Sequence, residues 1–488
     1  MRILHDLLIN IPATKIIGDS KCVVKHIQID SRKVSSGDCF VAIKGTASDG
    51  HNYIEQCIDK GARVIVCEEL PSNLYADVTY VLIGNSSNAV GLLAANFYGN
   101  PSQQIKVIGV TGTNGKTSTV TLLFRLMRSM GKQVGLLSTV QNQINEEVMT
   151  STHTTPNAIE LQQLLKRMVD VGCEYCFMEV SSHAVVQERI AGLKFTGAVF
   201  TNITHDHLDY HKTFENYLKA KKKFFDDLPE TAFALVNADD RNGKVMLQNT
   251  QALRSTFALR TPADFKCKVV ENSIAGLHLE IDNTELYTRL IGEFNAYNMT
   301  AVYGVAQLLG FEKHECLTAL SFIDPPDGRF EQVVSSVQKI TGIVDYAHTP
   351  DALKNVLHTI NAIRNGNEKI ITVIGCGGDR DAAKRPIMAA IASRFSQQVI
   401  LTSDNPRSEE PNEILRQMNA GVSTNEKKKV LTIADRREAI RAAVQLAHSN
   451  DIILLAGKGH EKYQEVKGIK THFDDKEELQ NAFLELGK

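Results

Sequence analysis

Short apolar runs alternate along this chain with longer stretches of helical periodicity, and that alternation restricts the fold more than any other feature. From about residue 100 onward the runs are Lys106–Thr111, Val134–Ser138, Glu174–Val180, Ala198–Ile203, Ala232–Val236, Lys369–Gly375, Gln398–Thr402 and Asp451–Gly457. Strands that alternate with helices form parallel sheets with helices on both faces. The expected class is therefore α/β. The first hundred residues alternate as well, in shorter units, with a turn-rich segment over Ser31–Gly50.

A chain of 488 residues is too long for one core; about three domains of ~150 residues are expected. Tyr98-Gly-Asn-Pro-Ser102 interrupts a helical pattern, and Asp324-Pro-Pro-Asp-Gly-Arg329 is a rigid turn. These breaks predict units at 1–100, 101–330 and 331–488. A net charge of −2 offers nothing in bulk to nucleic acid or an anionic membrane, so phosphate recognition must be local. No apolar run approaches the roughly 20 residues of a membrane helix. Met1–Ile11 lacks the basic start and cleavage site of a signal peptide. Nine scattered cysteines fit a reducing cytoplasm. The lone Cys173-x-x-Cys176 reads as part of a buried strand rather than as a redox or zinc motif.

Lys106-Val-Ile-Gly-Val-Thr-Gly-Thr-Asn-Gly-Lys-Thr117 reads strand, glycine-rich turn, helix. Such a turn aims backbone N–H groups at a polyphosphate, and the helix dipole favours the anion. Lys116 is the candidate for the β- and γ-phosphates and the Thr117 hydroxyl for Mg²⁺. The glycines fall at 109, 112 and 115, so the common phosphate-loop spacing is not met, which points to a variant family.

Two further features need explaining. Phe214, Tyr217, Leu218, Phe224, Phe225 and Leu228 form a helical stripe, and Lys221 falls in its middle. A buried ammonium is expensive without a partner. Either Lys221 snorkels or makes an ion pair, or CO₂ has converted it to a carbamate able to support Mg²⁺ and phosphate. The second feature is Asn202-Ile-Thr-His-Asp-His-Leu-Asp-Tyr-His211, which follows a strand. His-x-His alone could suit zinc. With Glu179 ending the preceding run, a hard-cation site of Thr117, Glu179 and His207 is preferred.

Taken together, Gly112–Thr117, Met178-Glu-Val-Ser-Ser-His183, Asp206-His-Leu-Asp-Tyr-His211 and Ala220-Lys221 resemble the Mur ligase family. The likeness runs through Asp30–Ala42, Gly292–Asn298, Asp327-Gly-Arg329, Asp345-Tyr-Ala-His348, Gly377-Gly-Asp-Arg-Asp381, Asp404-Asn-Pro-Arg407 and Gly457-Lys-Gly-His-Glu461. It implies a three-domain architecture: a uridine-nucleotide unit, a central phosphate-loop ATPase-like parallel sheet, and a Rossmann-like carboxy-terminal unit.

The resemblance also implies an ATP-dependent ligase of peptidoglycan precursor synthesis. Its substrates would be UDP-N-acetylmuramoyl-L-alanyl-D-glutamate, ATP and an amine, with Mg²⁺ as cofactor and an acyl phosphate as intermediate. ATP would lie on Gly112, Thr113, Asn114, Gly115, Lys116, Thr117, Ser118, Asn295, Arg329 and Asp345. Ser31, Thr154, Thr155, Ser181, Gln187 and Arg189 would hold the uridine–muramoyl dipeptide. Glu179 and His207 would hold Mg²⁺, with Lys221 as N6-carboxylysine.

For the amine, Arg407 offers a planar fork that suits a second carboxylate and repels a lysine ammonium, which favours meso-diaminopimelate. Arg380, Asp404, Asn405, Gly457 and Glu461 match the other positions implied for it. His348 and His205 are candidate bases, and a monomer is the default. A folylpolyglutamate synthetase shares the loop but is disfavoured by Asp30–Ala42 and Asp404–Arg407. A nucleotide-binding regulator would have no need of the whole set Lys116, Glu179, His207 and Lys221.

Overall fold

Strands buried on both faces need cover on both, and the chain supplies it in three successive sheets. The computed structural model describes residues 1–45, 48–151, 153–204 and 206–488. The first sheet holds β1 (Ala13–Ile17), β2 (Ile27–Gln28), β3 (Cys39–Val41), β4 (Val64–Cys67) and β5 (Thr79–Ile83), in the order β1-β5-β4-β3-β2. Only β1 runs antiparallel. Helix α1 (Ser86–Tyr98) leaves this sheet and stops where the sequence breaks, at Gly99 with φ 77°. It meets the next unit backbone to backbone: a Cβ on Gly91 would lie 2.4 Å from the Ala191 carbonyl oxygen.

The second sheet has eleven strands. In chain order its elements are β6 (Lys106–Thr111), α2 (Lys116–Ser129), β7 (Val134–Leu137), β8 (Gln141–Ile144), β9 (Glu147–Thr150), α3 (Ala158–Asp170), β10 (Tyr175–Glu179), α4 (Ser182–Val186), β11 (Gly197–Phe200), α5 (Phe214–Asp226), β12 (Phe233–Asn237), β13 (Leu253–Ala258), β14 (Phe265–Ser273), β15 (Gly276–Ile281), β16 (Thr284–Thr288) and α6 (Glu293–Leu308). The strand order is β9-β8-β7-β10-β6-β11-β12-β13-β14-β15-β16. From β7 to β14 the pairing is parallel, as expected. Both edges depart from the expectation, because antiparallel hairpins extend them. The turn Asp282-Asn283 has φ of 46° and 62°, the left-handed pair that closes a two-residue hairpin.

Neighbouring residues of β6 feed opposite cores. Ile108 and Val110 join Leu123, Leu235 and Met299, whereas Val107 joins Cys176, Met178 and Phe224. Cys176 lies in β10 as expected, whereas Cys173 lies just before it; both are buried, and all nine cysteines are free thiols.

The third sheet holds β17 (Glu331–Val334), β18 (Thr341–Asp345), β19 (Ile370–Ile374), β20 (Gln398–Leu401), β21 (Val430–Thr432) and β22 (Ile452–Ala456), ordered β17-β18-β22-β19-β20-β21. All but β17 are parallel. Its helices are α7 (Pro350–Ile363), α8 (Lys384–Phe395), α9 (Pro411–Asn419), α10 (Arg436–Leu446) and α11 (Asp475–Glu485). Chain order reverses beside β19, where β20 lies on one flank and β22 on the other. That is the crevice in which open α/β sheets bind ligands.

Phe224 joins the helix of Lys221 to the strand of the phosphate loop. It is 2% exposed, packs edge-on against Phe195 at 4.9 Å, and occupies the space a Cβ on Gly109 would need. Phe224→Ala should cost about 3–5 kcal/mol, read as a lowered urea midpoint at unchanged slope.

Candidate active site

The glycine-rich turn joins β6 to α2. Gly112 and Gly115 have φ of 155° and 87°, and a Cβ on them would meet Thr201 Oγ1 at 1.9 Å and Asn298 Oδ1 at 2.7 Å. The unusual spacing thus has a local cause: Gly109 makes room for Phe224, and the other two make the turn. Asn202 braces the loop, accepting from Thr113 N at 2.8 Å and, through Oδ1, from Asn114 N at 2.9 Å. No side chain caps α2 among the described residues, so its first-turn N–H groups suit an anion.

Two lysines converge on this turn. Lys116 Nζ donates to the carbonyls of Gly112 and Thr113, both at 2.9 Å. Lys221 Nζ donates to the same Gly112 carbonyl at 2.9 Å and lies 4.7 Å from the centre of the Tyr217 ring. Lys221 is 1% exposed, so it does not snorkel. Burial drives its pKa well below the lysine range, Lys116 drives it lower, and Asp206 opposes. Burial also lowers that of Lys116, against the pull of Glu179 and Asp206. The unshared pair of a neutral amine is what carbamate formation requires.

Glu179 ends β10, is 1% exposed, and accepts from the Thr117 hydroxyl at 2.9 Å and from Thr139 N at 2.7 Å. The two proposed oxygen ligands are therefore adjacent. His207 sits at φ 54° and packs against His183 at 5.0 Å, Tyr217 at 6.1 Å and Asp206 at 3.5 Å. Among the described residues no three or more His, Cys, Asp and Glu side chains gather as a metal cage. His205, one candidate base, lies outside the described residues.

Arg329 reaches this centre from the turn at the junction of the second and third units. Arg125 on α2 holds the preceding turn, donating to the carbonyls of Asp324 at 2.9 Å and Pro325 at 2.8 Å. Arg329 then lies 4.6 Å from the Tyr346 ring centre, and one Nη donates to Thr117 Oγ1 at 3.2 Å. Asp345 accepts from Phe330 N at 2.7 Å, and burial raises its pKa to about 6 while Arg329 draws it down. Asn295 is linked to the loop indirectly, through Asn298 at 3.0 Å. His348 donates from Nδ1 to the Tyr346 carbonyl at 2.9 Å, which leaves Nε2 as its basic nitrogen.

Five of the six dipeptide candidates form one network beside Glu179. Thr155 donates to the Glu179 carbonyl at 2.8 Å and accepts from Ser181 N at 3.2 Å. Arg189 donates to the Thr155 carbonyl at 2.8 Å and grips Gln187 Oε1. Thr154 joins through Thr139 at 3.0 Å. Ser31 stands apart in the first unit, its carbonyl accepting from Lys60.

A second cluster fills the crevice of the third sheet. Asn405 donates to Glu461 at 2.8 Å, and buried Lys458 donates to Asn405 Oδ1 at 3.2 Å and Glu461 at 3.3 Å. Gly457, φ 113°, passes so close to Asp404 that a Cβ would lie 2.7 Å from its Oδ2. Burial first, then Asp404, raises the pKa of Glu461. Arg407 adopts φ 52°, and its Nη1 donates to the Gly378 carbonyl at 2.7 Å. Arg380 is exposed and does not join the cluster; its charge acts on Asp379.

Sequence reasoning overlooked several participants. Tyr217 looked like one residue of an apolar stripe, yet its hydroxyl meets Thr113 at 3.0 Å and its ring lies under Lys221. Asp206 stood within a quoted motif without a role, yet its charge reaches Lys116, Lys221, Tyr217 and His348. Lys458 lies inside Gly457–Glu461, and its 0% exposure was the signal that sequence could not provide.

Comparison with known proteins agrees with this arrangement. Residues 110–306 match the Mur ligase middle domain, 328–459 the Mur ligase glutamate ligase domain, and 23–98 the Mur ligase family catalytic domain. The chain is 55% identical over 486 residues to the UDP-N-acetylmuramoyl-L-alanyl-D-glutamate–2,6-diaminopimelate ligase of Cytophaga hutchinsonii, covering 99% of this chain and 100% of that one. It is 54% identical to the protein of the same name from Bacteroides fragilis, covering 98% and 99%. A solved structure of a ligase of that name aligns with a TM-score of 0.69 at 30% identity, covering 95% and 96%. A folylpolyglutamate synthase from Thermotoga maritima shares the fold, with a TM-score of 0.59 at 17% identity over 76% of this chain and 90% of that one.

The raised pKa of Asp345 fixes a pH dependence. Folding favours its protonated form, so its contribution to stability is full below pH 3.8 and is lost as pH rises through about 6. Asp345→Asn should therefore gain stability relative to the native chain between about pH 4.5 and about pH 7.5, by about 2 kcal/mol in urea titrations. A pH-independent difference would remove burial as the cause.

Proposed function

The chain belongs to the Mur ligase family, and from that premise we propose that it joins meso-diaminopimelate to the D-glutamate of UDP-N-acetylmuramoyl-L-alanyl-D-glutamate with consumption of ATP. One observation carries the amine assignment: Arg407 lies on the same crevice loops as the Asp404, Asn405 and Glu461 cluster. A guanidinium beside carboxylates suits a molecule carrying an amino group and a second carboxylate at one end.

In this reading residues 1–100 receive the uridine nucleotide, 101–330 bind ATP and 331–488 select the amino acid. A γ-carboxylate oxygen of D-glutamate attacks the γ-phosphorus of ATP, and the bond to the ADP oxygen breaks. The amine nitrogen then attacks the acyl phosphate carbon. The tetrahedral intermediate collapses with loss of phosphate, and the nitrogen gives up its proton. Lys116 and the first turn of α2 stabilise charge on the phosphoryl group, and Arg329 adds a guanidinium beside Thr117. Ser31, Thr154, Thr155, Ser181, Gln187 and Arg189 orient the dipeptide, and Asn295 and Asp345 fix the nucleotide.

The Thr117 hydroxyl and Glu179 carboxylate are hard oxygen donors 2.9 Å apart, too few to enclose an ion alone. That suits Mg²⁺, which keeps waters and substrate phosphates among its ligands. Held by Thr117, Glu179 and His207, it would supply positive charge at the phosphates. Lys221, as the neutral amine, adds to CO₂: its N–C bond forms, one C=O π pair moves onto oxygen, a proton leaves the nitrogen, and the product is a carbamate whose carboxylate stands on the retained nitrogen. The enzyme is read as a cytoplasmic monomer that meets neither nucleic acid nor membrane. No helix among the described residues is long and apolar enough to cross a membrane.

Phosphate release should require ATP, the dipeptide precursor and diaminopimelate together, and lysine should not replace the amine. Arg407→Ala should raise the diaminopimelate KM about tenfold or more while leaving the ATP KM within about twofold. Equal effects on both would sink the amine assignment. Lys221→Ala should lose ligase activity and regain part of it in formate or acetate. No recovery with either ion would count against the carbamate.

A further inference from the structure

Below the crevice lies an ion pair that the reaction as described does not use. Arg436, at the start of α10, and Asp475, at the start of α11, both have side chains 0% exposed and meet through Nε–Oδ1 at 2.7 Å and Nη2–Oδ2 at 2.6 Å. The remaining donors face the crevice loops. Nη2 also donates to the Ala456 carbonyl at 3.2 Å, and Nη1 reaches the Ser403 carbonyl at 3.5 Å. Ala456 immediately precedes Gly457, and Ser403 immediately precedes Asp404.

One guanidinium thus spans the two backbone points from which the acid-bearing loops spring. The loops are already in contact, since Gly457 leaves no room for a Cβ beside Asp404 Oδ2. A small change in their separation would therefore shift Asp404 against Glu461. A buried pair of this kind is a poor way to gain stability, because apolar residues of equal volume often serve as well or better. Its geometry is better explained by what it orients.

Building on the diaminopimelate reading, we propose that Arg436, held by Asp475, is a positioning residue for amine recognition: it sets the spacing of the Asp404 and Glu461 loops from behind. It touches no substrate. Its effect reaches the amine through the Ser403 and Ala456 carbonyls, and the phosphate loop lies in another unit.

Two variants test this in the full-length enzyme. One is the conservative Arg436→Lys, which keeps the charge but loses the fork. The other is the double apolar replacement Arg436→Met with Asp475→Leu, which leaves no unpaired charge. Both should fold, as judged by circular dichroism and thermal melting. Each should raise the diaminopimelate KM about tenfold or more while the KM values for ATP and the dipeptide precursor stay within about twofold. Asp475→Glu, which keeps a carboxylate at the fork, should stay closer to the native diaminopimelate KM than Asp475→Asn. A native diaminopimelate KM in the double variant overturns the proposal. So does an equal rise for all three substrates, or failure of both variants to fold, since the pair would then serve the core and not the loops. If the native enzyme does not use diaminopimelate, the functional reading fails instead, before any variant is compared.

Discussion

Two amines share one carbonyl oxygen, that of Gly112, and much of the central unit is arranged around that crowding. Lys116 arrives from its own loop and Lys221 from a helix about a hundred residues later in the sequence. Two full positive charges at one acceptor inside a protein would be strongly unfavourable. The pair is tolerable because Lys221 gives up its proton more readily than an ordinary lysine. The aromatic wall of Tyr217 and the packing of Phe224 hold it there. The helix and the loop meet where those two nitrogens share the Gly112 carbonyl.

Much of this was legible in the sequence. The strand runs, the break after Tyr98, the phosphate turn and the lysine within the apolar stripe were all visible as local patterns. So was the pairing of Thr117 with Glu179, because a hydroxyl at the start of a helix and a carboxylate at the end of an adjacent parallel strand lie at the same edge of the sheet. What stayed hidden was non-local. The antiparallel hairpins at both edges of the central sheet carry only short turn signals. Ser31 and Arg380 matched motifs, and only the fold shows that they stand apart from the two clusters. Asp206 acts through its field on four groups distant in sequence, and no spacing rule encodes a field. Arg436 sits in an ordinary amphipathic helix, and only the fold brings it beneath two loops.

The two polar clusters are built on different principles. Around Thr117 and Glu179 the groups are oxygen donors and lysines beside a helix terminus, which suits charge that changes during a reaction. In the crevice of the third sheet the groups are acids, an amide and a guanidinium, with Lys458 bridging the Asn405 amide and Glu461, which suits a shape that must be recognised unchanged. Arg329 lies at the junction between the second and third units, against the Tyr346 ring of the third, and bonds to Thr117, so its position depends on how the two units meet.

The contact between the first two units is of another kind. At Gly91 and Gly192 main chain lies directly on main chain, with no side chain between to slide or repack. On the proposed roles, the uridine end and the phosphoryl end of the precursor would lie on two units that touch main chain to main chain. Such a contact would measure length: with the distance between the two sites set by backbone, a precursor one residue too short or too long would place the wrong atom at the phosphate loop.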